Sequence, residues 1–316
     1  MKHLTVFSLI LLAGCAAPTA KQDASVAAVP KEADIAVTVA FTEGPTTDAD
    51  GNVYFTETTS ARIMKFTPGS GRAETFRENS GGANGLVFDP EWRLIACEGR
   101  AKRVTRTDMK SGKIEVLASS YEGKPFNGPN DVTVDNDGRI YFTDPVPPGA
   151  EGPPGVYRID KDGKIMRILS GPQIEWPNGL TISPDAKTLY LVEANKIENG
   201  ARQLKAYDLA ADGSVSSQRT FYNFYPGRSA DGITIDSAGN VYAAAGLMRT
   251  RGTHETLDTK PGVYVISPAG KLLSYTPVLE DTITNVAFGG PDLKTLYITA
   301  GKTLYQMRTE TAGTRR

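Results

Sequence analysis

NDVTVDNDGRIYFTDP, residues 130–145, reads as two short β-strands around a tight turn. Val132, Val134, Ile140 and Phe142 are strand formers, and the Asp135-Asn136-Asp137-Gly138 run between them is a hairpin signal. The arrangement recurs from Glu43 (EGPTTDADGNVYFTE), Asn84 (NGLVFDPEWRLIACE), Asn178 (NGLTISPDAKTLYLVE), Asp231 (DGITIDSAGNVYAAA) and Asn285 (NVAFGGPDLKTLYITA). Successive starts are 41, 46, 48, 53 and 54 residues apart, a period that suits one four-stranded propeller blade per copy. Two more β-rich runs follow each pair, such as ARIMKFTP and AETFRE, or GVYRIDK and KIMRILS. The expectation is an all-β, six-bladed propeller of four-stranded antiparallel blades over residues 35–308.

The sixth copy runs out after KTLYQM, so its last strand must come from elsewhere. IAVTVA at 35–40 has the right character, and an N-terminal strand there would close the ring and remove an open sheet edge.

The ends of the chain read differently. Residues 1–14 have a short basic start and an apolar run from Leu4 to Leu12, too short to span a bilayer as a helix and placed like a secretory signal. Leu12-Ala13-Gly14-Cys15 resembles a bacterial lipobox, which makes Cys15 the lipidated N-terminus; Ala16 rather than Asp after it resembles lipoproteins sent to the outer membrane. Residues 15–34 are rich in Ala, Pro and charge and read as a disordered tether, and residues 309–316, TETAGTRR, as a flexible tail. The expected location is the cell envelope, periplasm-facing, with membrane contact only through the lipid.

Net charge is −1, and −2 without Lys2, which excludes nucleic acid and strongly anionic macromolecules as expected partners. A monomer acting on a small molecule fits this balance. Cys97, the other cysteine, lies mid-strand in RLIACE and reads as a small core residue rather than a nucleophile.

The residues that open the six innermost strands, Glu43, Asn84, Asn130, Asn178, Asp231 and Asn285, would ring one mouth of the central channel. Asn or Asp before Gly is also ordinary turn chemistry. Six oxygen-bearing side chains in register, one of them Glu, exceed what turns require. Converging carboxylates need a cation, and Glu43 with Asp231 matches one divalent ion. Ca²⁺ is preferred because a wide oxygen ring suits its flexible shell, Mg²⁺ wants a tighter octahedron, and Zn²⁺ lacks His or Cys ligands here.

EGP at Glu43, PND at Asn130 with FTDP ending at Pro145, PNGL at Asn178 and DGI at Asp231 together resemble the SMP-30/gluconolactonase/regucalcin family of sugar-lactone hydrolases, in the same order over about 40–305. The resemblance implies a six-bladed propeller and a single metal held by Glu43, Asn178 and Asp231, with Asn130 at or near it, and Asp231 as the proposed base. Animal members carry Arg where this chain has Gly128.

The implied chemistry is lactone opening, with metal on the carbonyl oxygen and Asp231 taking a proton from water. Direct attack by Asp231 is a second route open to the same carboxylate. Organophosphate hydrolysis on the same metal, and a non-enzymatic propeller plugged by a metal, are the alternatives.

Links from second to third strands should rim the pocket. They are long at 145–154, 194–203 and 246–261, and the last offers Arg249, Arg251 and His254 as substrate-binding candidates beside Asn84 and Asn130. Ordinary solvated loop charge is the competing reading. Glu57, Glu98, Asp144 and Glu193 end successive second strands; Asp144 could orient the metal ligands, and the others read as solvated carboxylates.

Overall fold

The computed structural model describes residue 1 and residues 33–315; the signal segment, Cys15 and most of the tether lie outside the described residues. The described residues form strands and turns with no α-helix, and no helix is long and apolar enough to cross a membrane.

Six four-stranded antiparallel sheets are arranged as a six-bladed β-propeller. Blade 3 runs Val132–Val134, Ile140–Asp144, Gly155–Ile159 and Ile165–Ser170. Its first hairpin pairs Val132 with Phe142 and Val134 with Ile140, the pairing expected from the sequence. The innermost strands of blades 1, 2, 4, 5 and 6 are Thr42–Thr47, Ala83–Phe88, Pro177–Ile182, Ala230–Ile235 and Ile283–Gly289. Each contacts the innermost strand of the next blade, and the sixth meets the first.

The ring closes with Asp34–Thr38, which pairs antiparallel with Thr303–Arg308 as the outermost strand of blade 6. A hydroxyl network reinforces the seam: Thr284 Oγ1 donates to the Thr42 carbonyl at 2.9 Å, and Thr42 Oγ1 to the Thr303 carbonyl at 3.2 Å.

The recurring turn has a common cap. Asp48, Asp89, Asp135 and Asp236 each accept, through Oδ1, the amides two and four residues on, which fixes the hairpin. Between blades the core is apolar; Tyr190, Val192 and Leu204 of blade 4 pack with Ile233, Val241 and Ala243 of blade 5. Full burial of each large aliphatic among these contributes about 1.5–3 kcal/mol.

The C-terminal residues depart from the expected flexible tail. The Ser237 amide donates to the Ala312 carbonyl and the Gly313 amide to the Leu293 carbonyl, both at 2.8 Å, and Arg315 lies over the Trp92 ring at 5.9 Å. Thr314 and Arg315 line a cavity of about 150 Å³ at the channel end opposite the ring of Glu43 and its counterparts. Main-chain hydrogen bonds and a glycine packed against Phe288 hold this segment, so hydropathy gave no sign of it.

Candidate active site

The Asn-Gly, Asp-Gly and Glu-Gly pairs are bulges, not turns. Strand register shifts between Glu43 and Thr46, Ala83 and Leu86, Pro177 and Leu180, and Ala230 and Ile233, where the innermost strand passes the channel mouth. A bulge re-aims one side chain off the sheet alternation. The glycine after it admits the neighbouring blade: a Cβ on Gly179 would lie 2.6 Å from the Asp231 carbonyl oxygen and 2.7 Å from Gly232 Cα.

Glu43, Asn84, Asn130, Asn178 and Asp231 consequently line one cavity of about 600 Å³. Asn285 does not line it. Its Nδ2 donates to Asp131 Oδ2 at 3.1 Å, joining blades 3 and 6 across the channel beneath that mouth. Asp131 stands where four copies have glycine, and its carboxylate occupies the space over Gly85. The expected sixfold ring is therefore five residues around the mouth and an Asp131–Asn285 bridge below.

Around Glu43, Asp131 and Asp231 the floor of the cavity is acidic, and Arg228 compensates part of that charge. Burial, then the charges of Asp231 and Asp131, hold the Glu43 carboxyl well above its ordinary range. Burial also raises Asp131 to about 7, with Asp231 adding and the Val132 amide and Asn285 opposing. Asn178 Nδ2 donates to Asp231 Oδ1 at 2.6 Å, which leaves the Asn178 carbonyl oxygen for another partner. Arg228 Nη2 donates to Asp231 Oδ2 at 2.6 Å, and Glu255 Oε1 lies 3.4 Å from the same guanidinium. Sequence reasoning missed Arg228, Glu255 and Asp131; the Asp in PND, out of step with the glycines of the other copies, was the one visible signal.

The strand-end acids are not solvated as expected for three of them: Glu57, Glu98, Asp144 and Glu193 are all buried. Glu57 accepts from Arg62 at 3.0 Å, and Glu98 from Arg77, from Arg103 and from the Thr105 hydroxyl. Asp144 accepts the Asn127 and Gly128 amides at 2.9 and 2.7 Å, and Glu193 the Trp176 amide at 2.8 Å beside Lys205. The last two fasten the segments leading into Asn130 and Asn178. Burial lifts Asp144 to about 6 despite its two amides.

The long links do reach this face. Pro145, Pro147 to Ala150, Lys196 and Arg251 line the cavity, and Arg251 is paired with Asp281 at 3.0 Å. Arg249, exposed and 3.4 Å from Asp281, and His254, whose amide donates to the Lys196 carbonyl, lie outside the lining. Cys97 is fully buried against the Asp131 carbonyl, and burial pushes its thiol up.

A cation fits this donor set. Glu43 and Asp231 interact as like charges and Asn130 and Asn178 line the same cavity, a set of two carboxylates and two amides; among the described residues no group of three His, Cys, Asp or Glu comes together, here or elsewhere.

The sequence pattern described as the SMP-30/Gluconolactonase/LRE-like region matches residues 41–302. The chain belongs to this family. Over 88% of its length it is 29% identical to a gluconolactonase of Zymomonas mobilis, of which 81% is covered, and over 81% it is 30% identical to a pentonolactonase of Haloferax volcanii, of which 80% is covered. A solved gluconolactonase of Xanthomonas campestris superposes with a TM-score of 0.73 at 27% identity, covering 86% of each chain. The calcium-binding protein regucalcin of Agrobacterium tumefaciens, at 19% identity and a TM-score of 0.72 over 88% of this chain and 93% of its own, shares the fold. Family membership agrees with the resemblance carried by EGP, PND, PNGL and DGI.

Proposed function

We propose that this protein is a metal-dependent lactonase that opens a sugar lactone. The observation that carries the reading is the convergence of Glu43, Asn130, Asn178 and Asp231 on one cavity in a chain of this family. Similarity to gluconolactonase and pentonolactonase supports the reaction class, ester hydrolysis within a lactone ring.

The metal would be held by Glu43, Asn178 and Asp231 with Asn130 beside them, and Ca²⁺ suits an all-oxygen set of two carboxylates and amides. Bound there, a divalent ion would polarise the lactone carbonyl and offset charge on the tetrahedral intermediate. Asp231 accepts the proton of the attacking water; Asn178 and Arg228 hold its two oxygens in place, and such donors favour the ionised carboxylate at some cost in basicity. Asn84 and Asn130, on neighbouring blades at the mouth, donate to and accept from ring hydroxyls. Trp176 and the proline loop at 145–150 wall the cavity and limit water around the bound ring. Leu12-Ala13-Gly14-Cys15 supports a periplasm-facing enzyme tethered through Cys15.

The test is a screen of metal-reconstituted protein against sugar lactones, simple lactones and phosphotriesters. Metal-dependent turnover of a sugar lactone is expected. Turnover of phosphotriesters alone would transfer the site to the organophosphate reading, and no turnover of any class with metal bound would leave a metal-plugged binding propeller.

A further inference from the structure

We propose that the mouth of the cavity holds an anion subsite formed by Arg100, Lys102 and Lys196, and that the physiological lactone carries a negatively charged group remote from the carbonyl that is attacked. The lactone part rests on the function proposed above; the subsite rests on charge and geometry.

The whole chain is balanced, with 35 basic and 36 acidic residues, but this cavity is not. Its lining includes Arg100, Lys102, Lys196, Arg228 and Arg251 against two acids, Glu43 and Asp231. Those two acids are the ones a divalent cation would neutralise. Arg228 is matched by Asp231 and Glu255, and Arg251 by Asp281. Among the described residues, Arg100, Lys102 and Lys196 have no carboxylate within 4.0 Å, and of the three only Lys102 feels a nearby acid, the buried Asp144, so once the metal is bound the mouth carries an excess of positive charge.

The side chains are also placed for it. Arg100 is exposed at the rim and anchored by Nη2 donating to the Thr58 carbonyl at 2.8 Å, and Gly82 makes room, since a Cβ there would lie 2.8 Å from Arg100 Cδ. The turn carrying Arg100 and Lys102 lies against Gly128, two residues from Asn130: a Cβ on Gly128 would meet the Gly99 carbonyl oxygen at 3.4 Å. Lys196 enters from blade 4, beyond the proline loop of blade 3. Lysine and arginine offer donors only, so they match a carboxylate, phosphate or sulfonate better than a hydroxyl, which also needs acceptors.

The test titrates metal-loaded protein with non-reactive sugar acids that differ at the far end: D-gluconate, D-glucarate with a terminal carboxylate, and 6-phospho-D-gluconate. Binding of at least one terminally charged acid at least about tenfold tighter than gluconate at low salt is expected, from one charge-assisted hydrogen bond. The advantage should shrink at high salt and disappear in the Arg100→Gln/Lys102→Gln variant, whose melting temperature should be unchanged because both residues are exposed. Equal binding of all three acids, or an advantage the double variant keeps, would overturn the subsite. In parallel, kcat/KM is compared for glucono-1,5-lactone and its 6-phosphate. Turnover of neither these lactones nor any other in the wider screen, with the binding preference intact, would remove the lactonase reading and leave the subsite standing.

Discussion

Arg228 Nη2 lies 2.6 Å from Asp231 Oδ2, while Glu255, from the long link of blade 5, faces the same guanidinium at 3.4 Å. The proposed base is thus tied through one arginine to the loop that rims the pocket, which is itself fixed by the Thr256 amide donating to the Pro226 carbonyl at 3.1 Å. Arg228→Met should leave buried carboxylates uncompensated, and breaking such a pair costs about 3–5 kcal/mol. Thermal melting of the metal-free variant should fall by roughly 10 °C, and saturating Ca²⁺ should recover part of the loss. An unchanged melting temperature would refute the compensation.

Gly179→Ala places a methyl group against the backbone of Asp231 and Gly232, neither of which can swing aside. Asp231 should shift by a fraction of an ångström or more, and misplacement of about 1 Å reduces rates about 10²-fold. Lactone turnover measured at saturating metal should show a loss of that order in kcat. Wild-type kcat in this variant would mean that the blade 4 to blade 5 approach does not set the position of Asp231.

Much of this architecture was legible because repetition is a local signal. Six copies, their hairpins and the closing strand at Asp34–Thr38 follow from periodicity and from the missing twelfth hairpin half. The mouth residues were legible as a register, except Asn285, which turns to Asp131 instead. What escaped were partnerships between distant residues: Asp131 with Asn285, Arg228 with Glu255, and Glu193 with Lys205 and the Trp176 amide. A buried acid and a solvated one look alike in sequence, since only the fold supplies the partner. The docked C-terminus escaped for a related reason, because its attachment is through backbone groups.

Asp144 gives a pH signature. Burial raises its folded-state pKa to about 6 from a usual 3.8, so the folded chain binds this proton more tightly than the unfolded chain does. Its contribution to stability is complete below about pH 4 and is lost as pH rises through about 6, a change of about 3 kcal/mol. Between pH 4 and 7 the unfolding free energy of the wild type should fall by about that amount relative to Asp144→Asn, which cannot titrate at this position. Parallel profiles would contradict the assignment.

Deleting residues 309–316 removes the Ser237–Ala312 and Gly313–Leu293 hydrogen bonds and uncovers the apolar end of the channel around Phe288 and Leu293. Two net hydrogen bonds and some apolar cover are together worth about 2–3 kcal/mol. The truncated protein should melt roughly 5 °C lower. Melting at the wild-type temperature would restore the reading of this segment as a loose tail.

The central claim is that Asp231 works as a base beside a metal. The most direct measurement is sugar-lactone turnover by Ca²⁺-reconstituted wild type and Asp231→Asn, with metal occupancy determined for both. The account predicts metal-dependent turnover in the wild type and a loss of about 10²-fold or more in the variant at matched occupancy. Undiminished turnover by Asp231→Asn, or no lactone opening by the metal-loaded wild type, would contradict it.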